Sequence, residues 1–169
     1  MNTNISEIKC MCTNVRSIIN KGKREELQCL LFEKGIAKLG VTDSWANEDI
    51  SDAELNKIGY NVFQKDIDFD KVRKKRGGGV LLYVRDDSIA HEIEYEEYNC
   101  EAIFVSINIL GVGKLVIGLC NRSAYAEKEF VNSSRFIRKH TDEAAIIMRD
   151  FNYAEINWET LEEIGRAHV

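Results

Sequence analysis

The stretch "IIMRDFNYAEINW", residues 146–158, sets an acid, an aromatic and an amide directly behind a short apolar run. Such a run bounded by polar residues reads as a buried strand coming to the surface. Taken alone, Asp150 and Asn152 are turn residues. In α/β proteins strand ends are also where chemistry is placed, and two further strand ends of this kind lie upstream: Asn14 closes one and Asp43 closes the next. Singly, Asn14 reads as a turn residue or helix cap and Asp43 as a cap. Converging, the four form a cluster of hard oxygen ligands, and magnesium needs only one or two carboxylates besides water and a phosphate.

The rest of the chain fits one globular domain. It has 169 residues, 44% of them hydrophobic, with no proline, repeat or low-complexity tract. No apolar run approaches the roughly 18 residues of a membrane span, and the first ten residues have no basic-then-apolar leader. The five cysteines contain no CxxC pair and the three histidines no metal-ligand spacing, so a reduced, intracellular protein without structural zinc is expected. The net charge of -5 argues against a generally nucleic-acid-coating surface. Positive charge is local: "KVRKKR", residues 71–76, gathers five of the 23 basic residues, either as a solvated loop or as a phosphate contact.

"EIKCMC" alternates, placing Ile8, Cys10 and Cys12 on one face of a strand, with both cysteines as small core residues. "KREELQCLLFEKG" carries Leu27, Leu30 and Leu31 at helical spacing and closes at Gly35; "IAKLGVT" then reads as a strand. "SDAE", residues 51–54, has capping-box spacing. "YNVFQKD", "GVLLYVR", "CEAIFVSINIL" and "KLVIGLC" read as strands. Helix signals return at 127–139, where Phe130, Ser134 and Ile137 share a stripe, before the strand "AAIIMRDFN". This order predicts an α/β (α+β) mixed sandwich with an antiparallel middle, and not a doubly wound sheet.

In sequence order, "TNVRSIINKGKREEL", "LGVTDSWANEDISDAEL", "RGGGVLLYV", "CEAIFVSI", "KLVIGLCNR" and "RDFNYAEINWETL" resemble the endonuclease domain of non-LTR (LINE-type) retrotransposons, within the endonuclease/exonuclease/phosphatase superfamily. Six short blocks in order are far more specific than any one. The resemblance implies a four-layer αββα sandwich of two mixed sheets and a magnesium-dependent (or manganese-dependent) phosphodiesterase. Such an enzyme nicks DNA in the nucleus to prime a reverse transcriptase carried on the same polypeptide. It also implies roles: Asp43 and Asn14 in the metal and phosphate pocket, Asp150 orienting water, Asn152 on the scissile phosphate or the metal, Asn121 at a phosphate-holding position, and Arg122 and Arg16 on DNA. Trp45 and Trp158 match aromatics read as packing residues, and Gly77 to Gly79 match a glycine run read as turn glycines. A branch acting on phospholipids or nucleotides fits less well, because "RGGGVLLYV" and "NYAEINW" point to the retroelement branch.

The departures from the family fall on the chemistry. Asp43 stands where the family has glutamate, Asn121 where it has tyrosine, Ser123 and Ala124 where it has two prolines, and Arg149 where it has a small residue. The family's closing Ser-Asp-His has no counterpart here. The resemblance ends near Leu161, and "EIGRAHV", residues 163–169, is what GAG ATC GGA AGA GCA CAC GTC encodes, a string matching a common sequencing-library adapter. The expected organisation is therefore a partial endonuclease domain over residues 5–162 and a non-native tail over 163–169. Two functions follow: an impaired endonuclease fragment, or a catalytically dead remnant that binds nucleic acid or protein.

Overall fold

The computed structural model describes residues 8–46, 50–66, 78–95, 101–109, 113–121, 135–140, 144–149, 156–157 and 162–163. The "KVRKKR" segment, Gly77, Arg122, Phe130, Ser134, Asp150, Asn152 and Trp158 lie outside them. Two four-stranded sheets are built from successive stretches of chain. The first contains β1 (Cys10–Asn14), β2 (Lys38–Thr42), β3 (Tyr60–Lys65) and β4 (Val80–Arg85), in the order β1-β2-β4-β3. The second contains β5 (Ile89–Ile93), β6 (Ala102–Ile109), β7 (Gly113–Cys120) and β8 (Ala144–Arg149), in the order β5-β6-β7-β8. Each sheet has one parallel pair at an edge, β1 with β2 and β7 with β8; all its other pairings are antiparallel. A separate two-residue ladder joins β9 (Ile156–Asn157) to β10 (Glu162–Glu163).

Alternation along the strands sorts the apolar side chains into three cores. Val80, Leu82 and Val84 face Ile103, Val105, Ile117 and Leu119 between the sheets. On the outer face of the first sheet, Leu39, Val41, Leu81 and Tyr83 meet Leu27 and Leu31 of α1 (Lys21–Lys34) and Leu55 of α2 (Asp52–Leu55). On the outer face of the second, Phe104, Val116 and Cys120 meet Ile137 in a helical segment at 135–140, with Tyr95 and Phe136 closing an aromatic cluster. The result is the expected four-layer αββα sandwich. β2 and most of β4 are buried on both faces, which is why "KLGVT" and "VLLYVR" read as nearly continuous apolar runs. No helix among the described residues is long and apolar enough to cross a membrane.

The helix signals hold locally. Asn20 caps α1, its side chain accepting from the Gly22 N–H at 2.8 Å, and Gly35 ends the helix with φ 58°. Ser51 and Glu54 form the expected capping box, the Ser51 N–H donating to Glu54 Oε2 at 3.2 Å. One expectation fails: Cys10 is exposed and Cys12 only half-buried, because β1 is an edge strand, partly exposed along its length. Strand β5 was not anticipated, since "SIAHEI" lies at a sheet edge and lacks a run of buried apolar residues.

The buried Lys38 is the fold's costly side chain. It is 2% exposed and donates to Ser88 Oγ at 3.1 Å. Burial is the main cause that pushes its pKa down; Arg85 adds to the fall, while Asp87 and Cys10 oppose it. The unfolded chain therefore holds more protons between the lowered value and the ordinary 10.5, so stability rises with pH across that window. Lys38→Met is expected to raise the urea midpoint at neutral pH and to flatten that alkaline rise. Urea titrations between neutral pH and about pH 10 check both effects.

Candidate active site

Parallel pairing puts the C-terminal ends of two strands side by side. β1 and β2 run in register to Asn14 opposite Thr42, so Asn14 and the following Asp43 emerge together. Asn14 Nδ2 donates to Asp43 Oδ2 at 2.9 Å, while its carbonyl oxygen accepts from the Arg16 N–H at 3.1 Å. Asn14 is thus both the turn residue of the bland reading and a neighbour of the acid. The loop after it is fastened to the next loop and to α1. Ser17 and Ile18 N–H groups donate to the Asp43 and Ser44 carbonyls, each at 2.8 Å. Lys23 Nζ holds the Val15 carbonyl at 2.9 Å, and Arg24 Nη1 holds those of Ile18 and Ile19 at 2.9 and 2.7 Å. The basic start of α1 accordingly serves the loop that carries Asn14.

The glycine run closes the other side of Asp43. Gly78 and Gly79 take φ of 92° and 79°, and their carbonyls accept from the Trp45 and Ser44 N–H groups at 2.8 and 3.2 Å. This turn presents the Gly78 N–H to Asp43 Oδ1 at 3.1 Å. They are turn glycines, as expected, and they also donate backbone to the carboxylate. Trp45 is half-buried against this turn, consistent with a packing role.

The second sheet contributes Asn121, which follows β7, and Glu101, which precedes β6. Asn121 is buried, and its Nδ2 donates to Asp43 Oδ1 at 3.3 Å and to Glu101 Oε2 at 2.7 Å. Glu101 Oε2 also accepts the Gly79 N–H at 2.8 Å. Asn14, Asp43 and Asn121 therefore meet, and Glu101, which the sequence reading passed over, meets them. Its one trace in the sequence is its place directly before the apolar run "AIFVSINIL". Arg16 is exposed beside Asn14. Arg149, at the end of β8, is buried, and Cys120 of β7 is its parallel partner.

Backbone strain gathers at the same place. Arg16, Ser17, Asp43 and Trp45 are the non-glycine residues with positive φ among those described, and all four belong to the two loops around Asp43. Such conformations cost of order 1–3 kcal/mol each and persist where surrounding structure enforces them, commonly at functional sites. Here the enforcing structure is the set of loop-to-loop hydrogen bonds just described.

No family model matches the sequence, and no curated protein does. Solved structures do match. The endonuclease domain of TRAS1, a telomere-specific non-LTR retrotransposon, aligns with TM-score 0.60 at 13% identity, covering 86% of this chain and 59% of that one. D. rerio TDP2 complexed with a single-strand DNA product aligns with TM-score 0.59 at 13% identity, covering 88% and 62%. An AP endonuclease from Archaeoglobus fulgidus aligns with TM-score 0.58 at 16% identity, covering 88% and 59%. The chain has the endonuclease/exonuclease/phosphatase fold, also seen in a mannosyl-6-phosphatase from Bacteroides thetaiotaomicron. It spans about three-fifths of the length of these structures.

The residues present suit a hard divalent cation in an open site. The Asp43 carboxylate carries the Asn14 amide on one oxygen and the Asn121 amide on the other. An ionised carboxylate accepts about four hydrogen bonds or ligand contacts, so the three N–H donors on Asp43 leave it capacity. No group of three His, Cys, Asp or Glu residues able to enclose a metal occurs among the described residues. Magnesium, which keeps several waters and takes one or two carboxylates, fits this set.

Proposed function

We propose that this chain is part of a retrotransposon-type endonuclease domain that hydrolyses phosphodiester bonds in DNA with magnesium or manganese. The nick primes a reverse transcriptase borne on the same parent polypeptide, in the nucleus. The observation that carries this reading is the meeting of Asn14, Asp43 and Asn121 from two different sheets at one end of the sandwich. The six sequence blocks choose the retroelement branch.

In this mechanism Asp43 and Asn14 would hold the metal, which when bound polarises the phosphoryl oxygen and steadies the leaving oxygen. Asp43 supplies the negative charge, and its backbone and amide partners keep the carboxylate from rotating. Asp150 aligns the attacking water and takes up its proton, and Asn152 orients the scissile phosphate. Asn121, at the phosphate-holding position, steadies Asp43 with a side-chain N–H, and Arg122 and Arg16 grip the DNA backbone. One observation favours a remnant instead: Arg149, at the family's small-residue position, is a buried guanidinium next in sequence to Asp150.

Supercoiled plasmid separates the two. Slow conversion to open circles in magnesium, absent in chelator, is expected of the endonuclease; no metal-dependent relaxation at any protein concentration establishes the remnant.

A further inference from the structure

We propose that Glu101 is a positioning residue, fixing the orientation of Asn121 and of the glycine turn so that both present N–H groups to Asp43. This deepens, and rests on, the endonuclease reading above. Asn121 Nδ2 carries two hydrogens, and two carboxylates receive them: Glu101 Oε2 at 2.7 Å and Asp43 Oδ1 at 3.3 Å. A flipped amide would turn its oxygen towards both anions, so the pair of acids dictates which way Asn121 faces. The shorter bond belongs to Glu101. Glu101 also accepts the Asn121 backbone N–H on its carbonyl at 2.9 Å, gripping Asn121 at main chain and side chain together.

The same carboxylate oxygen accepts the Gly79 N–H at 2.8 Å. Gly79 neighbours Gly78, whose N–H reaches Asp43 Oδ1 at 3.1 Å. Two of the three donors on Asp43 are therefore held through Glu101, while the third, Asn14, is held by its own loop. What Glu101 supplies in this role is one well-placed acceptor oxygen. Its charge is secondary, and that distinction is testable because glutamine retains the oxygen.

Glu101→Gln keeps both contacts, since its amide oxygen accepts two hydrogen bonds, whereas Glu101→Ala removes them. With magnesium, Glu101→Ala is expected to lower the nicking kcat by about 10- to 100-fold, the effect of misplacing a group by up to 1 Å, at an unchanged magnesium requirement. Glu101→Gln is expected to restore most of the rate. A Glu101→Gln protein that folds yet is as slow as Glu101→Ala and needs more magnesium overturns the proposal, because the charge would then be what matters. Wild-type kcat in Glu101→Ala overturns it as well.

A second readout does not depend on activity. In ¹⁵N-labelled protein, Glu101→Ala is expected to speed exchange of the Gly79 amide by of order tenfold and to move the Asn121 side-chain NH₂ signals, with Glu101→Gln close to wild type. Unmoved signals in Glu101→Ala overturn the positioning role. A wild-type chain that fails to nick while these signals behave as expected removes the endonuclease reading and leaves the role of Glu101 in the fold intact.

Discussion

Asp43→Asn is expected to lower magnesium-dependent nicking by about 100- to 1000-fold, because a bound metal is worth several kcal/mol of transition-state charge stabilisation and this residue brings the charge that attracts it. Asparagine is the informative replacement. At φ 52° Asp43 occupies the left-handed region, which asparagine tolerates nearly as well as aspartate and alanine does not. The new NH₂ group must face either the Asn14 Nδ2 or the pair formed by the Gly78 N–H and Asn121 Nδ2, all of them donors. It settles towards Asn14, which can turn its own amide, at the cost of the bond that Asn14 accepts from Arg16. One lost hydrogen bond is worth about 0.5–1.5 kcal/mol, so folding survives while the metal is lost. Nicking rates and urea unfolding measured on the same preparation check the pair of effects; a rate within a few fold of wild type removes Asp43 from the metal site.

Gly79→Ala is expected to destabilise the chain by about 2–5 kcal/mol, summing about 1–2 for a left-handed non-glycine residue and about 1–3 for overpacking. Relief requires the Ser44 hydroxyl to turn away and give up the Ala46 N–H it accepts at 3.4 Å. A Cβ at Gly79 falls 2.5 Å from Ser44 Oγ, with Trp45 N and the Lys65 carbonyl next nearest at 3.7 and 3.8 Å. Ser44 is fully buried and its own N–H is bonded to the Gly79 carbonyl, so the two strands of the contact cannot separate without breaking it. Replacing glycine also stiffens the unfolded chain, which favours folding by about 0.4–1 kcal/mol, too little to reverse the sign. Chemical denaturation gives the energy directly. An unchanged midpoint would mean that the turn relaxes, and the hold of Gly78 on Asp43 would then be weaker than the distances imply.

Much of the sandwich was legible because its inner strands are covered on both faces and therefore announce themselves as apolar runs. β2, β4, β6 and β7 were found this way. Edge strands carry less information: β5 is mostly exposed and went unread, and alternation in β1 correctly paired Cys10 with Cys12 without telling which face the neighbours cover. Asn14 and Asp43 were legible as polar residues at strand ends. Glu101 was not, because an acid ahead of a strand looks the same whether it is solvated or bonded. Its partners Gly79 and Asn121 lie 22 and 20 residues away, and no local spacing connects the three.

The order of the strands has a consequence for how the site comes into being. Residues 10–85 complete one sheet before residues 89–149 begin the next, so each sheet is built from its own half of the chain. Asn14 and Asp43 belong to the earlier half, Glu101 and Asn121 to the later one. Neither half holds the cluster alone; it exists only while their apolar faces stay docked. The bonds from Asn121 to Asp43 and from Gly79 to Glu101 thus register whether the two sheets are docked, since each joins one half to the other.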